Sequence, residues 1–179
     1  EMGYVRRRYF LMVVILLITL LISTGCKKAE PKEIKIGIIV PLTGPLAVYG
    51  EGVRGGALLA FEKINQAGGV DGKKIKAVVE DNKADGAETA NAFNKVITKD
   101  KVVAIVGPVI SSTANVAGPI AVREKIPMVT PTATAVEVTE VGEYVSRVCF
   151  LDDYQGSVMA RFAYETHGAQ TAAVIYDMA

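Results

Sequence analysis

Short apolar runs alternate with longer amphipathic segments from Glu33 onward, and this alternation limits the folds that are open to the chain. The first run, 34–40, ends at Pro41, and the next segment, 50–67, carries apolar residues at helical spacing. The other predicted strands are 75–79, 102–106, 126–130, 144–150 and 171–176, and the other predicted helices are 85–99, 111–124 and 153–167. Because strands and helices alternate, we expect an α/β fold with one parallel sheet, right-handed crossovers and helices on both faces.

The predicted helix 111–124 contains a helix breaker. Gly118 and Pro119 fall near its middle. Proline lacks the amide hydrogen that a helix interior needs, and its ring collides with the preceding turn. We therefore expect this helix to be kinked or split at Pro119.

Residues 1–25 have the pattern of a secretory signal peptide. Three arginines at positions 6–8 precede a mainly apolar run, 10–22, which is shorter than the roughly 20 residues that span a bilayer. A permanent membrane anchor is the alternative. The segment Ser23-Thr24-Gly25-Cys26 resembles a bacterial lipobox, in which the cysteine is acylated and becomes the mature N-terminus. We therefore expect lipidation at Cys26, a tether over 26–32, and a protein held at the membrane by its lipid.

Charge and cysteine content exclude several kinds of partner and site. Residues 1–25 carry three arginines and one glutamate, so the rest of the chain has a slight excess of acidic residues. Such a nearly neutral body lacks the basic surface that nucleic acids require. With two cysteines and one histidine, the sequence contains no metal-binding pattern. If Cys26 is acylated, Cys149 has no disulfide partner, and its apolar neighbours predict a small buried residue.

Ligand chemistry is expected at one edge of the predicted sheet. In open parallel sheets, ligands bind beyond the carboxyl ends of the strands, where the loops 41–50, 107–113 and 131–135 fall. The hydroxyl groups of these loops belong to Thr43, Tyr49, Ser111, Ser112, Thr113, Thr132 and Thr134. The single histidine, His167, is predicted in the last turn of a distant helix. Without a general base, hydroxyl groups bind a ligand and do not attack it, so we expect a binding protein with no catalytic residues and no cofactor.

Two of these loops have structural alternatives. The segment 111–113 starts a helix, so its hydroxyls either serve as N-caps alone or share the helix end with a bound carboxylate. Tyr49 is either a packing residue or one wall of a pocket. In the second case Val109 and Ile110 would give that pocket an apolar floor.

The segment 50–55 matches G-x-G-x-x-G, the dinucleotide-binding fingerprint. In that fingerprint the first glycine follows its strand directly, whereas here most of a loop separates Val40 from Gly50. The glycines also run into the predicted helix. The acidic pair Glu80-Asp81 lies farther from Gly50 than the ~20 residues expected of a ribose-binding acid. We expect a coincidence, and a dinucleotide-dependent enzyme is the alternative.

Several short motifs, taken in their order along the chain, resemble one family. They are Ile36-Gly37-Ile38, Pro41 to Pro45, Gly68 to Lys74, Glu80-Asp81, Val106-Gly107-Pro108, Ser111-Ser112-Thr113, Ile126-Pro127-Met128, Ala133-Thr134 and Asp152 to Gly156. The chain from Ile34 to Asp177 thereby resembles the N-terminal part of a leucine/isoleucine/valine-type periplasmic binding protein, the solute receptor of an ABC importer. The resemblance implies a type I periplasmic-binding-protein fold in an incomplete chain. The first lobe would span 33–150, and a second lobe would start over 151–179.

The resemblance also implies the residues of a binding site. In the family, the ligand carboxylate is held by a serine hydroxyl and backbone amides at the position of Ser111, together with the threonine at Thr134. The ammonium group is held by the backbone carbonyl at Thr132 and the hydroxyl at Thr134, with Ala133 between them in the same loop. An aromatic residue at the position of Tyr49 packs on the ligand side chain.

Asp152, at the crossing into the second lobe, is the last predicted contact. The resemblance implies a monomeric, exported lipoprotein that binds an amino acid with an aliphatic side chain. Closure of the two lobes would occur near 148–152, and the closed form would be presented to a membrane permease. A sensor domain of the same fold, acting on a signalling partner, is the alternative.

Overall fold

The computed structural model describes residues 33–176, and within them five strands form one sheet. The strands are β1 (Glu33–Val40), β2 (Lys74–Asp81), β3 (Ala104–Val106), β4 (Met128–Thr130) and β5 (Val145–Arg147). All neighbouring strands are parallel, in the order β2-β1-β3-β4-β5. The predicted parallel α/β sheet is confirmed. The predicted signal peptide, tether and lipidated Cys26 lie outside the described residues.

Four helices connect or follow the strands. They are α1 (Ala47–Gln66), α2 (Gly86–Lys95), α3 (Ser111–Glu124) and α4 (Asp152–Arg161). Helix α2 begins after Asp85, whose carboxylate accepts a hydrogen bond from the Glu88 amide at 2.9 Å. A π-helical turn extends α2 over Val96–Asp100 and another extends α4 over Phe162–Thr166, while a 3-10 turn covers Val136–Thr139. Between residues 33 and 176, no helix is both long enough and apolar enough to cross a membrane.

Strand β1 is the centre of the packing because its side chains alternate between two cores. Ile38 and Val40 pack with Val109 and with apolar residues of α1 on one face of the sheet. Ile39 packs on the other face, in a larger core that contains Phe93 of α2 and several alanines of α3. A strand with both faces covered is apolar along its buried length, as the run 34–40 predicts.

The outer edge of the sheet is covered at Ile75 by a side chain. Asn65, near the end of α1, donates a hydrogen bond from Nδ2 to the Ile75 carbonyl at 2.8 Å and accepts one at Oδ1 from the Ile75 amide at 2.7 Å. Ile75 lies on β2, the outermost strand on this side. The carboxamide therefore pairs with β2 as a neighbouring strand would.

Helix α3 runs through its proline without a break, so of the two predicted outcomes, a kink or a split, the split is wrong and the kink stays a prediction. Gly118 packs tightly, since a Cβ there would lie 2.9 Å from Cγ1 of Val141. Pro119 is on the exposed side of α3. Water can therefore hydrate the carbonyl of Asn115, which loses its amide partner, and tertiary packing keeps the helix intact.

The predicted strand 171–176 is wrong. These residues are irregular, and Val174, Ile175 and Tyr176 are 84%, 97% and 73% exposed. Because a strand exists only when it pairs with another strand, an apolar pattern alone does not form one. Within the described part of the chain nothing pairs with this segment.

Cys149 is half-buried, so the prediction of a buried position is wrong. Strand β5 ends at Arg147, and the residues after it leave the sheet, with Val148 and Phe150 largely exposed. The Cys149 thiol donates a hydrogen bond to the Ala133 carbonyl at 3.4 Å.

Candidate functional site

Three loops meet at the carboxyl edge of the sheet. Strands β1, β3 and β4 are neighbours, so the segments 41–46, 107–110 and 131–135 leave the sheet side by side. Gly107 follows β3 with φ +110°, and a Cβ there would lie 2.0 Å from the Ile39 carbonyl oxygen. Only glycine fits at this close approach. The buried Thr130 hydroxyl donates to the Pro108 carbonyl at 2.6 Å, which joins the second and third loops at their base.

The loop 131–135 lies against the start of α3. The Thr132 hydroxyl donates a hydrogen bond to the Val109 carbonyl, and the Ala135 amide donates to Oγ of Ser111 at 3.2 Å. The structure therefore brings Ser111 together with the predicted contacts of this loop, Thr132, Ala133 and Thr134. Ala133 itself is buried, and Thr134 is half-buried. Their role in ligand binding stays a prediction.

Ser111 is not a helix cap. The N-cap of α3 is the extended residue Ile110, and no side chain caps this end of the helix. The interpretation of 111–113 as N-caps alone is therefore wrong. The first amides of a helix have no acceptor within the helix, and they lie at the positive end of its dipole. The amide and the hydroxyl of Thr134 also have no hydrogen-bond partner within residues 33–176. This arrangement can accept a carboxylate.

Tyr49 and Asp152 lie at the margins of this group. Tyr49, in the first turn of α1, is 59% exposed, and within residues 33–176 its ring makes no hydrogen bond or ring contact. Asp152 is the first residue of α4, and its amide donates to the Thr134 carbonyl at 3.2 Å. The Asp152 side chain is exposed. Val109, which was predicted to form part of the pocket floor, is instead buried in the core that contains Ile38 and Val40.

Arg147 is a part of this region that the sequence analysis missed. Its guanidinium donates to the carbonyls of Ala133 (2.9 Å), Ala135 (2.7 Å) and Val136 (2.9 Å) and to the hydroxyl of Thr139 (2.8 Å). The available signal was that Arg147 is the one charged residue in the predicted strand 144–150. Its acceptors are mostly backbone oxygens, which every residue has, so the sequence could not identify them.

Asp81 holds the first loop. Its carboxylate accepts hydrogen bonds from the Leu42 amide (2.8 Å), the Thr43 hydroxyl (2.6 Å) and the Lys83 amide (2.8 Å). Partial burial alone would raise the pKa of Asp81. These three hydrogen bonds and the Lys83 charge outweigh it and hold the pKa of that carboxyl below its usual value of 3.8. The loop after β1 is therefore anchored by an ionised carboxylate.

The glycines of the segment 50–55 do not form a phosphate-binding turn. Helix α1 begins at Ala47, so all three glycines lie inside the helix. A Cβ on Gly50 would lie 1.7 Å from the Pro41 carbonyl oxygen, whereas Gly52 and Gly55 face open space. Close packing against Pro41 accounts for the glycine at position 50. This favours the interpretation that the match of 50–55 to the dinucleotide-binding fingerprint is a coincidence.

One groove lies away from these loops. A groove of about 440 Å³ lies between α1 and β2, lined in part by Leu58, Phe61 and Ile75. It lies toward the start of β2, at the opposite edge of the sheet from the three loops. No group of three or more potential metal ligands occurs in the described part of the chain.

Comparison with known proteins identifies the family. Residues 33–178 match the sequence profile of a family described as "Periplasmic binding protein". The chain belongs to this family. The predicted resemblance and the predicted fold type are thereby confirmed, because the solved structures described next have the same fold.

Three similar proteins are described by the solute that each binds or by their role in transport. The leucine-, isoleucine-, valine-, threonine- and alanine-binding protein of Pseudomonas aeruginosa is 41% identical over 80% of this chain and 39% of its own length. A branched-chain amino acid transporter substrate-binding protein from Streptococcus pneumoniae, solved in complex with isoleucine, has a TM-score of 0.74 and 37% identity over 76% of this chain and 39% of that protein. A solute-binding protein of an ABC transporter from Rhodopseudomonas palustris, solved with 3,4-dihydroxybenzoic acid, has a TM-score of 0.70 and 29% identity over 75% of this chain and 37% of that protein.

The matched regions are only part of these relatives. This chain spans about two-fifths of the length of each. All three are described as proteins that bind a solute, and two of them are described as parts of transporters.

Proposed function

We propose that this chain supplies the first-lobe half of an amino-acid site in an extracytoplasmic substrate-binding protein of an ABC importer. The observation that supports this most is the meeting of Ser111 and Thr134. Ser111 lies at the uncapped start of α3, and its Oγ is bonded to the amide next to Thr134. The amide and hydroxyl of Thr134 have no partner within the described residues.

The chemistry of these groups suits a zwitterion. Amide hydrogens at a helix N-terminus favour a carboxylate. The Thr132 carbonyl and the Thr134 hydroxyl offer oxygen acceptors for an ammonium group a short distance along the same loop. Tyr49, exposed at the same edge, supplies an apolar surface for a ligand side chain.

The remaining features of the proposal come from the sequence and from the relatives. Acylation at Cys26 would hold a monomeric protein at the outer face of the membrane, where a permease receives the ligand. A second lobe would complete the site and close on the first, and Asp152 lies where the chain would cross between them. The binding of branched-chain amino acids by relatives supports an aliphatic ligand.

Calorimetry on the full-length protein tests the proposal. The ligands are L-leucine, L-isoleucine, L-alanine, 3,4-dihydroxybenzoate and NAD. Saturable binding of an aliphatic amino acid supports the proposal. If only 3,4-dihydroxybenzoate binds, the proposed carboxylate contacts are supported and the proposed ammonium contacts are wrong. If only NAD binds, the proposal is overturned.

Ser111→Ala tests the residue at the centre of the site, with Ser112→Ala as the matched control. Ser112 is the exposed neighbour on the same helix turn. Loss of a hydrogen bond to a charged group should weaken amino-acid binding by about 1–3 kcal/mol for Ser111→Ala. The control should bind as the unchanged protein does. If the two variants bind the amino acid with equal affinity, Ser111 is not part of the site.

A further inference from the structure

Arg147 forms an unusual set of contacts for a half-buried cation. It is the last residue of β5, and all four of its hydrogen-bond acceptors belong to the segment 133–139. All four are neutral oxygens. One terminal nitrogen, Nη1, donates to Ala133 and Ala135, and the other, Nη2, donates to Val136 and Thr139. A planar fork of donors thus holds one segment in a single curved conformation.

These contacts fix the direction of the Thr134 amide. A trans peptide is planar, so its carbonyl and the following amide hydrogen point in opposite directions. Arg147 and Cys149 both donate to the Ala133 carbonyl, which turns that oxygen toward the end of β5. The Thr134 amide hydrogen is therefore turned away from β5, and it has no partner among residues 33–176.

The next two peptide groups, 134–135 and 135–136, are held as well. The Ala135 amide donates to Ser111 at 3.2 Å, whereas the Ala135 carbonyl accepts from Arg147 at 2.7 Å. The loop is therefore fixed between α3 on one side and β5 on the other. Without Arg147, the Ala133 carbonyl would keep only the Cys149 thiol (3.4 Å) as a donor and the Ala135 carbonyl only the Val138 amide (3.3 Å), so both peptide groups would be held less firmly.

We propose that Arg147 is a positioning residue for the ligand site: it sets the orientation of the Thr134 amide and of the Ser111 contact without touching the ligand. This inference rests on the proposed function. This role differs from a general stabilising role. It requires the Arg147 variants to lose more ligand affinity than a control variant that is destabilised to the same extent. It also requires a planar cation, since an ammonium group cannot reach four acceptors in this arrangement.

The test compares three variants of the full-length protein with the unchanged protein. They are Arg147→Ala, Arg147→Lys and, as control, Val138→Ala. Val138 is buried in the same segment and does not contact the guanidinium through a hydrogen bond, so its truncation lowers stability alone. Binding of L-leucine and L-isoleucine is measured by calorimetry at a temperature where circular dichroism shows each protein folded. Thermal midpoints are recorded for all four.

We expect Arg147→Ala to lose about 30-fold or more in affinity and Arg147→Lys about tenfold, with Val138→Ala within threefold of the unchanged protein at a comparable drop in midpoint. Guanidinium ion at millimolar concentration should restore part of the affinity of Arg147→Ala and of no other protein, with equal sodium chloride as the control. If Arg147→Ala does not fold, the Arg147→Lys comparison decides the question alone.

Two negative results have different meanings. If the unchanged protein binds neither amino acid, the proposed function fails and the inference fails with it. If the unchanged protein binds and the Arg147 variants bind equally well, the inference fails and the proposed function stands. The same holds if the Arg147 variants lose no more affinity than Val138→Ala does at a comparable drop in thermal midpoint.

Discussion

Gly50→Ala should destabilise the protein strongly, although alanine is the better helix former. Gly50 is buried in the first turn of α1, and a Cβ there would lie 1.7 Å from the carbonyl oxygen of Pro41 and 2.6 Å from its carbonyl carbon. Both atoms belong to the backbone, so no side-chain rotation can relieve the contact. Either the start of α1 or the loop after β1 has to move.

The size of the effect follows from two opposing contributions. In an exposed helix position, replacing glycine with alanine stabilises by roughly 0.5–1 kcal/mol. Forcing extra volume into a packed site costs about 1–3 kcal/mol and more where backbone must move. The contact at Gly50 is far inside van der Waals distance, so the second contribution wins. We expect a net loss of about 2 kcal/mol or more in the free energy of unfolding.

Urea denaturation of the full-length protein, followed by circular dichroism, measures this loss. Gly52→Ala and Gly55→Ala are matched controls, because both positions lie in α1 and neither has an atom within 4 Å of an added Cβ. Both controls should shift the midpoint upward. If Gly50→Ala is as stable as Gly55→Ala, then α1 does not approach Pro41 as described, and the packing explanation of the 50–55 glycines is wrong.

Two further predictions concern stability. The pKa of Asp81 is lowered in the folded protein, so its contribution is present above the unfolded value of 3.8 and disappears as the pH falls through the folded value. In urea titrations at several pH values, Asp81→Asn should therefore be less stable than the unchanged protein at neutral pH, with a difference that shrinks in acid; a constant difference would contradict this. Pro119→Ala should stabilise α3 by about 1–3 kcal/mol, because it restores a helical hydrogen bond at an exposed position, and an unchanged denaturation midpoint would show that the proline costs nothing there.

The central part of the fold could be predicted from the sequence because burial leaves a strong pattern. The run 34–40 is apolar except for Lys35, and β1 is buried from Gly37 to Val40, with neighbouring side chains in two cores. The shorter strands were predicted too long, since β3, β4 and β5 are each three residues in the structure. Their length depends on where a neighbour is available for pairing, and a single sequence does not state that. The segment 171–176 was predicted as a strand from its apolar residues, and it forms none because nothing in the described part of the chain pairs with it.

The candidate site could be located but not resolved in detail. Parallel strands place their following loops at one edge, so the sequence was enough to group Ser111 with Thr134. It could not show that Ser111 accepts a bond from Ala135 instead of capping α3, because both roles use the same residue type. Nor could it show the role of Arg147, whose partners are mainly carbonyl oxygens. Both contacts depend on the path of the backbone.

The pairing of Asn65 with Ile75 has a consequence for how copies of this protein behave at high concentration. The rim of a sheet offers unpaired amides and carbonyls, and another extended chain can attach to them and start an aggregate. At Ile75 both groups are already occupied by the carboxamide. The exposed lysines on either side have partners within the chain, since the Lys74 ammonium donates to the Asn65 carbonyl and the Lys76 ammonium pairs with Glu33 at 3.3 Å. An intruding chain would have to displace the carboxamide at Ile75, so the start of this rim resists intermolecular β-addition.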